Sequence, residues 1–278
     1  MNMTFPILTK MIPIPGGELA VHIQGAEHGP VVLMSHSILS SAMMWQEQSH
    51  LLSACGFQVL CIDSRGHGLS KAPQAPYHMN DLAEDSIRIL DALGIAKAHY
   101  VGLSLGAMSG FGLALAHASR LLSVLLCDGR ADMTPDFAKP WDERIKIAQD
   151  HGVQALAAPT VERWFGAEFV KNNPLVSQRF IQAASATTLE GFIGCAKAIQ
   201  SLDYLDQVPR IQVPMTLLVG AKDGPLPEAM AHIASLVPMS KLEIIANAGH
   251  LPNIDQSTLF NAAMMRHFFQ KPQGANHE

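Results

Sequence analysis

Gly102-Leu103-Ser104-Leu105-Gly106 decides the fold, because it fits the G-x-S-x-G pattern of a serine held at a sharp turn. The apolar run at 98–101 before it predicts a strand, and the small residues at 107–116 after it predict a helix packed closely on a sheet. This arrangement pushes a serine outward as a nucleophile, and the flanking glycines allow a close backbone approach that a Cβ would obstruct. Five-residue patterns also occur by chance, so the rest of the chain must supply the context.

Strand and helix patterns alternate on both sides of this turn. Apolar runs predict strands at 19–24, 31–34, 57–62, 121–127, 215–219 and 242–245, and helical periodicity predicts helices at 79–93 and 256–269. The run at 31–34 is almost wholly apolar, as expected of a strand covered on both faces. The alternation predicts an α/β protein with a mostly parallel central sheet flanked by helices.

The alternation stops between Gly129 and Val208. Four stretches there have helical character and no strand lies between them: 142–149, 153–165, 177–184 and 189–199. We therefore predict a core formed by residues 1–128 and 209–278, with a helical cap, or lid, inserted at 129–208. Residues 273–278 are expected to form a loose tail.

Composition narrows the class of protein. Charged residues make up 15% and hydrophobic residues 48% of the 278 residues, which is the balance of a compact chain with a large core. The net charge of -5 and the lack of a Lys/Arg cluster predict no binding to nucleic acid or to a membrane. Neither a signal peptide nor a membrane span is recognisable, so we expect a cytoplasmic protein. The sequence leaves the oligomeric state open.

The four cysteines are scattered along the chain without metal-binding or redox spacing. We expect buried free thiols.

Ser104 needs a base within hydrogen-bond reach and an acid that orients the base. In this kind of fold the partners follow in the order Ser, Asp or Glu, His, each after a strand. Asp223 follows the strand at 215–219, and His250 is the one of 13 histidines that follows a late strand. Asp128 also ends a strand and remains an alternative acid.

The tetrahedral intermediate of such chemistry needs backbone donors for its oxyanion. The N–H of Leu105, directly after the serine, is one candidate. The second is the N–H of Ile38, in the loop that begins with His36 and Ser37. The alternative is that this loop is only a polar connection.

The segment Asp63-Ser64-Arg65-Gly66-His67-Gly68 contains an acid and a base, but a structural role explains it better. Its glycines and charges suit a tight turn after a strand, with Asp63 and Arg65 held in hydrogen bonds that fix the loop.

Taken together, these motifs resemble those of the α/β-hydrolase superfamily, and within it the chain is most similar to the 3-oxoadipate enol-lactonases. The resemblance covers nearly the whole length and is carried by seven segments: 36–37, Trp45, 63–68, 102–106, 126–128, 163–165 and 249–250. It implies the α/β-hydrolase fold, with Ser104 as nucleophile, Asp223 as acid and His250 as base. The lactonases typically have Asn-Ser at 36–37, a second glycine at 107 and Asn-Thr at 128–129, where this chain has His-Ser, Ala and Asp-Gly.

The leading hypothesis is hydrolysis of a small lactone or ester, such as an enol-lactone from aromatic-compound breakdown in the β-ketoadipate pathway, through an acyl-enzyme on Ser104. A carboxylate on the substrate would bind one of the cap arginines Arg130, Arg144 and Arg163, because arginine suits bidentate pairing. Trp141 and Trp164, with the His36-Ser37 loop, would complete the substrate-binding set. No metal or organic cofactor is implied, because the triad supplies nucleophile, base and oxyanion donors.

Two other hypotheses stay open. One is a cofactor-independent oxygenase in which His250 deprotonates the substrate, with Asp128 as the acid and His36 near the site. The other is a ligand-sensing module without activity. The presence of Ser104, Asp223 and His250 together argues against the second.

Overall fold

An eight-stranded sheet organises the computed structural model of the protein, which describes residues 6–269. The strands lie in the order β1-β2-β4-β3-β5-β6-β7-β8. Strand β2 pairs antiparallel with β1 and β4, and all other pairs are parallel, which confirms the predicted mostly parallel sheet. The strands are β1 (Leu8–Ile14), β2 (Gly17–Gly25), β3 (Val31–Ser35), β4 (Gln58–Ile62), β5 (Ala98–Leu103), β6 (Leu121–Cys127), β7 (Met215–Gly220) and β8 (Ser240–Ile245).

Burial along the strands follows their place in the sheet. Every residue of the central strand β3 and of β7 is buried, as expected where helices cover both faces. The edge strand β1 was not predicted; it is exposed at five of its seven positions, and only Ile12 and Ile14 are buried. The first predicted strand, at 19–24, is instead the second strand of the sheet.

Six helices accompany the strands: α1 (Gln46–Ala54), α2 (Met79–Ala92), α3 (Leu105–Ala116), α9 (Leu226–Leu236), α10 (Pro252–Asp255) and α11 (Ser257–Phe269). Helix α3 lies very close to the sheet, because a Cβ at Gly110 would meet the side chains of Leu126 and Tyr100. The small residues of this helix therefore serve the close packing expected of them.

Between β6 and β7 the chain forms five helices: α4 (Pro135–His151), α5 (Gln154–Phe165), α6 (Ala167–Asn172), α7 (Pro174–Ser185) and α8 (Leu189–Gln200). All residues of this segment are described, and none belongs to a strand of the sheet. Helix α4 begins at Pro135, earlier than the predicted start at 142. We call α4–α8 the cap, and the division into core and cap remains a prediction.

Some predictions concern the ends and the thiols. The predicted tail at 273–278 lies outside the described residues. Cys61, Cys127 and Cys195 are buried free thiols as expected, whereas Cys55, just after α1, is exposed. Within residues 6–269, no helix has both the length and the apolar character needed to cross a bilayer.

Candidate active site

Ser104 occupies the turn between β5 and α3 in a conformation that few residues other than glycine adopt. Its φ is +56°, and its N–H donates to the carbonyl oxygen of Cys127 at 2.8 Å. A Cβ on Gly102 would overlap the carbonyl of Gly106, and one on Gly106 would overlap the carbonyl of Ser35. The strained backbone at Ser104 thus depends on glycine at both flanking positions.

His250 and Asp223 lie in the loops after β8 and β7 and are hydrogen-bonded. The Nδ1 atom of His250 lies 2.6 Å from Oδ2 of Asp223, and both side chains are largely buried. The backbone N–H of His250 donates to the carbonyl of Trp164 in α5 at 2.9 Å, and the two rings stack with centroids 6.5 Å apart. The imidazole is therefore held between Asp223, after β7, and Trp164 in α5.

Ser104 lies at the same edge of the sheet as His250 and Asp223. Its backbone partner Cys127 directly precedes Asp128, and Asp128 lies beside His250 and Asp223. Ser104 Oγ makes no hydrogen bond to another described residue, as is common for such serines when no substrate is bound. The carboxyl ends of parallel strands meet at one edge of a sheet, which brings these separately predicted residues together.

The hydrogen bond to the imidazole favours Asp223 over Asp128 as the acid. Asp128 instead accepts the N–H of Gly220 through Oδ1 at 2.8 Å. Burial, and then the charge of Asp223, raises the pKa of Asp128 well above its usual value. Burial also acts to raise the pKa of Asp223, but His250, the neighbouring Asp128 and the charge of Arg163 outweigh it and lower that pKa.

Two backbone N–H groups beside Ser104 are available as oxyanion donors. Neither the N–H of Leu105 nor that of Ile38 donates to another described residue. The two segments are joined because the N–H of Gly106 donates to the carbonyl of His36 at 3.2 Å. Both candidates thus belong to neighbouring loops at the same edge of the sheet.

Two buried histidines hold the loop that contains Ile38. The Nε2 atom of His36 accepts the N–H of Ser64 at 2.9 Å, and that of His67 accepts the N–H of Leu39 at 3.1 Å. Each Nδ1–H donates to a carbonyl of its own loop, at 2.7 Å for His36 and 3.0 Å for His67. We call this reciprocal pair, His36 and His67, the histidine clasp.

Burial dominates the protonation of the clasp. It lowers the pKa of His67 to about 3, with a further contribution from His36, and it lowers the pKa of His36 against the opposing charge of Asp63. Both rings are therefore neutral, which leaves each Nε2 free to accept a hydrogen bond.

The likeness to known proteins agrees with this architecture. A family model for the alpha/beta hydrolase fold matches residues 30–257. The chain belongs to this family. This hydrolase is 30% identical over 246 residues to 3-oxoadipate enol-lactonase 1 of Acinetobacter baylyi, covering 88% of this chain and 91% of that one. It is 27% identical over 241 residues to a putative carbamate hydrolase of Caulobacter segnis, covering 85% and 90%.

Among solved structures, the enol-lactonase of Burkholderia xenovorans LB400 resembles this hydrolase with a TM-score of 0.88 and 31% identity. The match covers 93% of this chain and 99% of that chain. The protein is thus a hydrolase of the α/β fold, related to enol-lactonases and to carbamate hydrolases.

Three of the predicted substrate-binding residues of this hydrolase have other partners. His36 is fully buried with both ring nitrogens engaged, so a substrate contact does not fit it. Ser37 is also fully buried, with its N–H on Met44 Sδ and its hydroxyl on the carbonyl of Ile38. Arg130 pairs with Asp132 at 2.9 Å and lies over the ring of Phe137, so its charge is already compensated.

Arg163 fits an anion-binding role better than Arg130 does. Its side chain is exposed and forms no ion pair within residues 6–269. Loss of hydration and then the charge of Arg144 lower its pKa to about 10, while Asp223 acts in the opposite direction. The charges of Arg163 and Asp223 act on each other, so the two side chains are near neighbours.

The two predicted tryptophans differ in position. Trp164 is buried against His250, whereas Trp141 is half-buried in α4 with the Arg144 guanidinium 4.8 Å from its ring centroid. Trp141 thus joins Arg144 to the wall of the cap.

Within residues 6–269, one group of side chains lies close enough together to hold a cation. It consists of Asp128, Asp223 and His250. We assign them to the hydrogen-bonded relay instead, because an Nδ1–H that donates to Asp223 cannot coordinate a metal.

Sequence reasoning missed two contributors to the site. His67 was included only in a structural turn, and the carbonyl of Trp164 carries no signal in its side chain. The structural role predicted for Asp63 and Arg65 is confirmed: Asp63 accepts the N–H groups of Ala42 and Leu69, and Arg65 binds Asp85 with two hydrogen bonds.

Proposed function

We propose that this hydrolase opens a small lactone, or cleaves a carboxylic ester, that carries a carboxylate, with 3-oxoadipate enol-lactone as the leading substrate. The observation that carries the proposal is the position of Ser104 on a strained turn. The same edge of the sheet holds the His250–Asp223 hydrogen bond and two N–H groups that donate to no described residue. The names of the relatives support the substrate class. The setting that we propose is aromatic-compound catabolism in the cytoplasm.

The chemistry follows from these atoms. Ser104 Oγ attacks the carbonyl carbon while Nε2 of His250 takes the hydroxyl proton, and Asp223 stabilises the imidazolium through Nδ1–H. The N–H groups of Ile38 and Leu105 donate hydrogen bonds to the developing oxyanion. The imidazolium then protonates the departing ring oxygen, which stays attached to the acyl chain because the substrate is cyclic. Water, deprotonated by His250, then attacks the acyl carbon. The bond to Ser104 Oγ breaks, His250 returns the proton to Oγ, and the product acid leaves.

A carboxylate on the substrate would be held by Arg163, with Arg144 beside it. Arg163 has no ion-pair partner in the described chain, and its charge acts on Asp223, so an anion bound there lies near the reacting atoms. Two guanidinium groups close together repel each other, and an anion between them relieves that repulsion. We therefore propose Arg163 as the main carboxylate ligand.

The depth of the site favours a small substrate. Only 5% of the Ser104 surface is exposed, and Trp164 covers His250 from the cap. Such a closed site excludes water that would compete in the first step.

The oxygenase hypothesis loses its two supports. His36 is engaged on both nitrogens away from the relay, and Asp223 rather than Asp128 bonds the imidazole. The hypothesis of a module without activity has no observation in its favour.

The test is a turnover screen of the purified protein with 3-oxoadipate enol-lactone, a short uncharged ester and a carbamate. We expect the lactone to give the highest kcat/KM and Ser104→Ala to lower its turnover by at least about a thousandfold. A fluorophosphonate should label the wild-type protein and not Ser104→Ala. Full activity of Ser104→Ala, or turnover of none of the three substrates, would contradict the proposal.

A further inference from the structure

Asp128 is a buried carboxyl group that the proposed chemistry does not use. It is fully buried with a φ of +47°, and Oδ1 accepts the N–H of Gly220. Its Oδ2 atom accepts no N–H or O–H donor from the described chain. One oxygen of Asp128, one of Asp223 and one ring nitrogen of His250 all lie within 4.8 Å of one another.

A buried carboxylate oxygen without a donor is costly, and a second carboxylate beside it adds repulsion. A proton on one of the two carboxylates removes both the repulsion and the missing hydrogen bond, because a neutral carboxyl group donates to an ionised one. We infer that Asp128 is present as the neutral acid, donates Oδ2–H to the Asp223 carboxylate, and so positions Asp223 against His250.

The charges around Asp128 and Asp223 agree with one negative charge on this pair, carried by Asp223. Asp255 and Cys127 are further acidic groups nearby, Arg163 acts on Asp223, and Lys222 acts on Asp255. Burial and then the charge of Asp223 raise the pKa of Asp128, while the neighbouring Asp128 helps to lower that of Asp223. One charge is sufficient to balance the imidazolium that forms on His250.

Under the proposed function, on which this inference rests, Asp128 acts as a positioning residue. It fixes the Asp223 carboxylate so that Oδ2 stays 2.6 Å from Nδ1 of His250. The proton remains on Asp128 throughout the reaction, and no bond to substrate is made there.

Infrared difference spectroscopy tests the protonation state without any substrate. Spectra of wild type and Asp128→Asn at about pH 8 are compared in the region of the carboxylic acid C=O stretch. The pKa of Asp255, about 6, leaves that neighbour mostly ionised at this pH, so it does not contribute. We expect a carboxylic acid band in the wild type that is missing from Asp128→Asn. Identical spectra would overturn the inference.

Kinetics of Ser104 phosphonylation by a small fluorophosphonate test the positioning role, and this readout remains even if the enol-lactone is not a substrate. Asp128→Asn keeps a donor of similar shape, so we expect its rate within about threefold of wild type. Asp128→Ala, with folding checked by circular dichroism, should react about 10- to 100-fold more slowly, because one hydrogen bond to a charged group is lost.

Asp223→Asn is the matched control, and it should be the slowest of the variants. A loss in Asp128→Asn as large as that in Asp223→Asn would overturn the inference, since Asp128 would then be the acid itself. A rate in Asp128→Ala equal to wild type would also overturn it.

Discussion

Arg163 differs from Arg130, which pairs with Asp132, because no carboxylate of residues 6–269 forms an ion pair with it. Hydrogen bonds to charged groups contribute about 1.5–3 kcal/mol. We therefore expect Arg163→Gln to raise the KM for a carboxylate-bearing lactone roughly 10- to 100-fold, with little change for an uncharged ester. Steady-state kinetics on both substrates measure this. Arg210→Gln, which removes an exposed arginine elsewhere, is the control.

Equal changes for the charged and the uncharged substrate would contradict this role. They would mean that Arg163 supports the cap and does not bind the anion.

Gly102 is constrained by the space that its neighbours leave. A Cβ there would overlap the backbone of α3, so Gly102→Ala should lower the free energy of unfolding by about 2–3 kcal/mol and reduce Ser104 labelling. Gly94→Ala is the matched control, because a Cβ at Gly94 would meet no neighbouring atom and the strain would come from its positive φ alone. Its expected cost is about 1 kcal/mol. Urea unfolding measures both values, and equal losses would contradict the steric explanation.

At the scale of elements, the histidine clasp connects the loops after β3 and β4. Its imidazoles are neutral in the folded protein and have pKa values near 6.5 when unfolded. The contribution of the clasp to the free energy of unfolding is therefore fully present above pH 6.5. It is lost as the pH falls from 6.5 towards about 3, the pKa of His67 in the folded protein. Each histidine contributes a slope of up to about 1.4 kcal/mol per pH unit in that window.

Urea unfolding at several pH values between 8 and 4 measures this slope. His67→Gln should have a shallower slope than wild type, since glutamine does not titrate. His232→Gln, at an exposed position, should leave the slope unchanged. Stability that stays constant in the wild type down to pH 4 would contradict the assignment.

Some elements were predictable and others were not, for physical reasons. Strands β3 and β7 are fully buried, and their continuous apolar runs identify them. Helix α1 was not predicted, because three of its four buried residues are the polar Gln48, Ser49 and Ser53, so it has no apolar stripe. Strand β1 was missed because it lies at an exposed edge, and α9 was not identified.

The site shows the same division. Ser104, Asp223 and His250 could be predicted, because position after a strand places residues at one edge of a parallel sheet. The clasp could not be predicted, since it depends on how two loops approach each other in space. The pairing of Arg130 with Asp132 was equally hidden, because short-range ion pairs depend on local backbone geometry.

At the scale of the whole molecule, helices α4–α8 contact the elements around a nearly closed site. One link is the hydrogen bond from Arg179 in α7 to Gln46 Oε1 in α1, at 2.9 Å. We propose that a bulky fluorophosphonate must open this contact to reach Ser104. We expect Arg179→Ala to accelerate labelling by a bulky reagent about 2- to 10-fold, as the loss of one surface hydrogen bond permits, and by a small reagent less.

Lys146→Ala is the control, because Lys146 pairs only with Asp150 inside α4. The same acceleration in both variants, or with both reagents, would mean that the Arg179 contact does not limit access.

The contact between Trp164 and His250 has a consequence for engineering. If α4–α8 bind the substrate carboxylate as proposed, exchanging that segment with the segment of a relative is an obvious way to change the substrate. Yet the main-chain carbonyl of Trp164, which accepts the backbone N–H of His250, belongs to the exchanged segment. A chimera would therefore inherit a new pocket together with a newly oriented base. Successful chimeras should be those whose junction retains the local path of the chain at 163–165.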